Sequence, residues 1–123
     1  MLVKLLLLSI LLHIIDDFVL QPVCLSKLKQ KSFWEKEAPS ALYKYDYIVA
    51  LILHALSWSI MIMLPYIFYV ETTASMYIWM AAVNTGIHAY VDHLKANKHE
   101  ISLITDQIIH ICQILFTGIA FMI

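Results

Sequence analysis

Arginine is absent from this sequence, and eight lysines against nine acidic residues leave a formal net charge of −1. That balance supplies no basic surface for general nucleic-acid binding, so no nucleic-acid partner is expected. Glycine and proline are also scarce, two and three in 123 residues, which favours long helices over a turn-rich β fold. The two cysteines, Cys24 in a polar stretch and Cys112 inside an apolar run, fit neither a CxxC nor a zinc-ribbon spacing. Both read as small loop or packing residues. Charged residues make up only 14% of the chain, where an ordinary soluble domain carries about 25%.

What fills the chain instead is apolar: 62% hydrophobic residues and a mean hydropathy of +0.79. A small domain has much surface to cover, so a core alone does not absorb that excess. Lipid is the natural solvent for the rest. Crossing a hydrocarbon core of about 30 Å takes around 20 mostly apolar helical residues. Four segments qualify, at about 1–20, 45–69, 74–95 and 101–123, in a single integral membrane domain spanning 1–123. Pro22 is expected to stop the first helix and Pro65 to kink or end the second. The N-terminal leucine run is read as a retained helix, because His13, Asp16 and Asp17 interrupt it and the residues after it make a poor cleavage site.

The fold class is therefore all-α, a four-transmembrane-helix bundle. Between helices 1 and 2, Gln21 to Lys44 holds five lysines, with Leu25, Leu28, Phe33 and Trp34 among them. A short interfacial helix with its lysines toward water fits this stretch. Seven of the eight lysines fall on the first and third connections, which share one side of the membrane. The positive-inside rule puts that side in the cytoplasm, with both termini outside and the protein in the inner, cytoplasmic membrane.

Polar groups within lipid are costly, and those in these helices recur at helical spacing. His13 and Asp17 lie four apart in the first helix, and His88 and Asp92 repeat the spacing in the third. Asp106 and His110 repeat it in reverse order in the fourth, and the second helix contributes His54. The fourth helix runs opposite to the first and third, so the reversal brings all three aspartates nearer the lysine-rich face. The histidines lie one turn deeper, the set falling roughly 5–15 Å below the helix ends. Four helices thus offer ligands at one depth.

Imidazole and carboxylate without thiolate suit zinc first, and manganese or iron as alternatives. His13, Asp17, His54, His88, Asp92, Asp106 and His110 exceed what one catalytic zinc uses, so one or two ions with a bridging carboxylate are expected. Ser9, Ser57, Asn84, Gln113 and Thr117 continue the stripes, either as partners that orient the ligands or as ordinary interhelical hydrogen bonds. His93 and His99, at the helix end, are read as solvated interface residues, Lys95 as anchoring the helix or meeting a substrate phosphate, and Asp16 as facing headgroups or capping the helix.

His13-Ile-Ile-Asp-Asp17-Phe18-Val-Leu20-Gln21, followed by Lys27 or Lys31, resembles the opening motif of the family called domain of unknown function 3307, small membrane proteins of bacteria and phages. His88-Ala-Tyr-Val-Asp92 with Lys95, and Asp106-Gln107-Ile-Ile-His110, resemble its closing motifs, and His54 with Trp58 an intermediate one. Asp16 stands where that family usually has a small residue. The resemblance implies an architecture and site residues but no reaction. By looser analogy the layout looks like small membrane-bound metal-dependent hydrolases.

The expected function is hydrolysis of a lipid or lipid-linked substrate entering from the cytoplasmic leaflet, with Asp17, Asp92 and Asp106 as ligands, bridge or general base. Two other classes stand beside it: a non-enzymatic membrane scaffold with a structural metal, and an ion or proton conductor that would need a homodimer or larger assembly.

Overall fold

A computed structural model describes residues 1–21 and 23–123, and every regular element among them is helical. Pro22, expected to stop the first helix, lies outside the described residues. Helix α1, Leu2–Ile14, continues without a break as a π-helical stretch, Ile15–Leu20, and the Gln21 amide closes it on the Asp16 carbonyl. Two short helices follow, α2 (Val23–Leu28) and α3 (Lys31–Glu37), then a 3₁₀ turn at Ala41–Tyr43. This is two helices and a turn where the sequence suggested one.

Helix α4 covers Asp46–Tyr69 and runs on past Pro65. Helix α5, Ala74–His93, starts where the Thr73 hydroxyl accepts the Met76 amide, a side-chain N-cap. It too passes into a π-helical stretch, Leu94–Lys98, which stops at His99 in the left-handed region with φ 56°. Helix α6, Leu103–Ala120, is capped in the same way by Ser102 accepting from Thr105.

Helix α4 packs on α1 and α5, and α6 packs against α1 and α5. The long helices alternate in direction. The end remote from the lysine-rich connections holds an apolar core of Leu5, Trp58, Ile62, Met63, Tyr66, Met80, Ile114 and Phe121. Toward the lysine-rich end the interior turns polar, with His13, His54, His88, Asp92, Asp106 and His110 all buried. The outside is the reverse: Val3, Leu7 and Leu11 on α1, Ile78 and Trp79 on α5, and Ile104, Ile108 and Phe116 on α6 are exposed.

Of the four helices expected to span a membrane, two are long and apolar enough by themselves: Ala41–Tyr69 and Leu103–Ala120. The others fall short for visible reasons. As a regular α-helix α1 is 13 residues long before its π-helical continuation. Helix α5 spends Asn84, Thr85, His88 and Asp92 on its inner side, which lowers its apolarity.

Gly118 sits where α6 meets α1 and α4. A Cβ there would lie 2.5 Å from Leu6 Cδ2 and 2.7 Å from the Tyr66 hydroxyl, whereas one at Gly86 on α5 meets nothing within 4 Å. Gly118→Ala is therefore expected to cost about 1–3 kcal/mol through overpacking. Gly86→Ala is expected to be neutral or stabilising by up to about 1 kcal/mol, since Gly is a poor helix-interior residue. Unfolding of the two variants in mild detergent checks the contrast, and equal stabilities would contradict the close approach at Gly118.

Candidate metal centre

The site is assembled from five pieces of chain. Helix α1 supplies His13, its π-helical continuation Asp16 and Asp17, α4 His54 and Trp58, α5 His88 and Asp92, and α6 Asp106 and His110. The π-helical turn matters because it holds more residues per turn, so neighbouring side chains diverge by a smaller angle. Such turns occur often at functional sites. Here Asp16 turns inward beside Asp17, only 3% exposed, with Ser57 donating to its Oδ1 at 2.9 Å. The expectation that Asp16 faces headgroups or caps the helix is corrected by this geometry.

Asp92 lies at the centre. Its Oδ2 is 3.7 Å from His54 Nε2 and 3.9 Å from His88 Nε2, while its Oδ1 is 3.7 Å from His110 Nε2. On one side His54 Nε2 is 3.3 Å from Asp17 Oδ1, and on the other His110 Nε2 is 3.3 Å from Asp106 Oδ1. Bonds of about 2.0–2.2 Å to a tetrahedral ion place neighbouring donors about 3.3–3.6 Å apart, close to these separations. Two groups of three, Asp17–His54–His88 and His88–Asp92–His110, each bring one donor atom per residue within 4.8 Å of the others. They share His88, and Asp92 turns one oxygen to each side as a bridging carboxylate does.

His88 is fully buried, yet neither ring nitrogen finds a hydrogen-bonding partner among the described residues. Its ring instead stacks on two others, 4.0 Å from His110 and 4.3 Å from Trp58 between centroids, and those two are themselves 5.4 Å apart. His110 Nε2 and Asp106 Oδ1, 3.3 Å from each other, and Asp17 Oδ1, 3.3 Å from His54 Nε2, likewise make no hydrogen bond of good geometry. Each such atom costs about 1–3 kcal/mol if nothing meets it. One His88 nitrogen carries a proton and the other a lone pair; that lone pair, His110 Nε2 and the carboxylate oxygens cluster, which fits a cation bound among them.

His13 belongs to the cluster in a different capacity. Trp58 Nε1 donates to its Nδ1 at 2.7 Å, and its Nε2 lies 3.1 Å from Gln107 Oε1. With Nδ1 accepting, the proton is on Nε2, and both nitrogens are engaged. The structure thus gives His13 a positioning geometry where the sequence suggested a ligand. Gln107 in turn donates to Asp106 Oδ2 at 3.1 Å.

Of the polar residues continuing the stripes, three form one chain. Gln113 Oε1 meets His110 Nδ1 at 3.3 Å, the Gln113 amide reaches Asn84, and Asn84 donates to Thr117 at 2.9 Å. Ser9 instead bonds the Ile62 carbonyl, away from the site. Replacing Gln113 with leucine should weaken metal binding about 10–100-fold without abolishing it, the usual cost of an outer partner. Competition with a chelator measures this; an unchanged affinity would remove Gln113 from the argument.

Two lysines reach the site, where the sequence suggests a role for Lys95 alone. Lys29, at the turn after α2, is 5% exposed and lies 2.5 Å from Asp92 Oδ2, correcting the expectation that the lysines of this stretch face water. Lys95, on the second π-helical stretch, lies 2.6 Å from Asp106 Oδ2 and 3.8 Å from Asp92 Oδ1. It does more than anchor a helix end. Lys27 and Lys31, the lysines quoted for the opening motif, are not the ones that reach the site. Asn97 fixes the Lys29 segment, accepting from the Lys31 amide and donating to the Lys29 carbonyl. His93 stacks on Tyr47 at 6.1 Å and His99 is an exposed turn residue, so both stand outside the cluster.

No family model, no curated protein and no solved structure matches this chain. A cavity of about 140 Å³, lined by Asp17, Lys29, His54, Asp92, Lys95 and Gln107 among others, reaches the cluster from the lysine-rich end. Asp92 and Asp106 face the ammonium groups of Lys29 and Lys95, while Asp16 and Asp17 face His54. With four ionised carboxylates, two ammonium groups and neutral histidines, two negative charges are left over, which one divalent cation would neutralise.

Proposed function

We propose that this protein is an integral membrane, metal-dependent hydrolase acting on a lipid or lipid-linked substrate that enters from the cytoplasmic leaflet. The observation that carries the metal is His88, fully buried with two unpaired nitrogens at the junction of two ligand groups. Zinc is the first choice, manganese or iron the alternatives. Membership of the domain of unknown function 3307 family is part of this proposal, on the motifs that resemble it.

The inverted pattern of burial supports a bundle in which all four long helices cross the bilayer. A water-soluble protein rarely keeps histidine and aspartate inside while turning isoleucine, leucine and phenylalanine out over every helix. In lipid that arrangement is the stable one, because ionisable groups turn to the bundle interior. The lysine-rich connections then lie on the cytoplasmic side.

In this scheme Asp17, His54, His88, Asp92 and His110 hold the metal, with Asp92 bridging if two ions bind. The bound ion would supply a Lewis acid and bring the pKa of a water to about 7. Asp17 lines the cavity and can take a proton from water at Oδ2, an atom steadied by Gln107 at 3.5 Å. Asp106 holds Lys95 and faces His110, fixing the ring that carries one donor.

A closed, purely structural metal site is disfavoured because a cavity reaches the ligands. The relay reading has one observation in its favour: His54 stands between Asp17 at 3.3 Å and Asp16 at 3.9 Å, a carboxylate–imidazole–carboxylate series. Against conduction, the far end of the bundle is plugged by Ile62, Tyr66 and Phe121. Elemental analysis of protein purified in mild detergent without chelators, with His88→Ala and Asp92→Ala alongside, decides between these. One or two equivalents of metal in the wild type, lost in the variants, are expected. Metal at background after adding zinc, manganese and iron back would leave the relay.

A further inference from the structure

Outside the cluster, α6 carries an exposed apolar stripe. Leu103, Ile104, Ile108, Ile111 and Cys112 line a shallow depression of about 450 Å³ together with Gln107. Leu103 and Gln107 also line the polar cavity that holds Lys29, Lys95, Asp17 and Asp92. The two spaces therefore meet at these two residues. One is apolar and opens sideways on α6; the other is polar and opens toward the lysine-rich end.

The electrostatics of the polar space change when a metal is present. Lys29 is held by Asp92 and Lys95 by Asp106. One divalent cation bound by the same carboxylates brings the site to balance, and a second leaves the two ammonium groups undercompensated. A buried ammonium without a partner is costly, and an anion in the cavity restores the balance. Two divalent ions would turn the balance of two negative charges into two positive ones, which a phosphate monoester at about −1.5 to −2 comes near to matching. A headgroup phosphate at the lysines leaves its acyl chain at Leu103 and Gln107, where the apolar stripe begins. From Leu103 to Cys112 the stripe runs about 13 Å along the helix, at about 1.5 Å per residue, long enough for most of a fatty acyl chain.

We infer that the site binds an anionic phospholipid with its phosphate between Lys29 and Lys95 and one acyl chain along the Leu103–Cys112 side of α6. This deepens the hydrolase proposal and rests on it, naming the substrate class and its route of entry. The lipid slides in from the bilayer beside α6, with no need to leave the leaflet, and Gln107 stands at the junction of headgroup and chain.

The test uses the full chain in nanodiscs of neutral phosphatidylcholine doped with a phosphatidate carrying a diazirine in its acyl chain. After photolysis, adducts on the Leu103–Cys112 peptide are expected to exceed those on the equally exposed Val3, Leu7 and Ile78 about ten-fold. Diacylglycerol with the same diazirine should show no such preference. Lys95→Gln is expected to remove the preference, and Ile108→Trp, which fills the stripe away from the ligands, to reduce it while metal content stays at the wild-type level. Excess inorganic phosphate should displace the lipid only weakly, because it gains nothing from the stripe. Adducts spread evenly over α1, α5 and α6, or full displacement by inorganic phosphate, would overturn the inference. Metal content measured on the same samples separates the two proposals. Metal retained with evenly spread adducts sinks this inference alone, whereas a wild type that holds no metal sinks both.

Discussion

His88→Leu is expected to abolish metal binding while leaving the metal-free protein at least as stable as the wild type. The two parts of this result have one cause. His88 buries two nitrogens that meet no partner among the described residues, and each costs the metal-free fold about 1–3 kcal/mol. Leucine removes both and fills much of the same space. Against this stands the lost stacking on Trp58 and His110, 4.3 and 4.0 Å away, which reduces the gain. In the wild type, metal at a hundred times its dissociation constant should raise stability by about 2.7 kcal/mol. In the variant the increment should vanish. Thermal unfolding in detergent, with chelator and with added metal, reads both effects. A variant that loses several kcal/mol without metal yet still responds to it would make His88 an ordinary core residue.

Lys29→Met is expected to be the most destabilising single change on the lysine-rich side. Lys29 and Asp92 side chains are 6% and 3% exposed and lie 2.5 Å apart. Removing one member of a buried pair leaves the other charge uncompensated, at about 3–5 kcal/mol. The sign of the metal effect follows. A cation bound beside Asp92 takes over the compensation, so the deficit should be largest with chelator and smaller with metal. A second change, Asp92→Leu, should recover much of the loss in the chelated protein, because a buried pair replaced by apolar residues is often neutral. The double variant would bind no metal at the shared carboxylate. A Lys29→Met protein indistinguishable from wild type in chelator would mean that the pair is not buried in the membrane.

How much of this was legible beforehand differs from residue to residue. The i,i+4 pairs His88–Asp92 and Asp106–His110 are local features of a helix, and once the helices are assigned their shared face follows. The converging depth of His54 follows from helix rise and alternating direction. Asp16 escaped the same logic because the rule of one face assumes 100° per residue, and the π-helical turn over Ile15–Leu20 breaks it. Trp58 was legible as the motif partner of His54, one turn away on the same side, but its donation to His13 was not. Lys29 had no such signal. Its partner is 63 positions away, in a segment with no periodicity, and nothing local distinguishes it from Lys27 or Lys31.

The sequence by itself determined that the protein is helical, where the four long helices lie, and that their inner stripes carry histidine and aspartate. Those properties depend on composition and on a 3.6-residue period, which are local. Only the tertiary structure decided which donor atoms point at one another and which are already taken. It assigned Trp58 and Gln107 to the nitrogens of His13, left those of His88 unpaired, turned Asp16 inward and drew Lys29 down onto Asp92. These outcomes rest on π-helical turns and on contacts between residues far apart in the chain. There the cost of an unpaired buried group is set by its neighbours in space, and spacing along the chain carries no record of them.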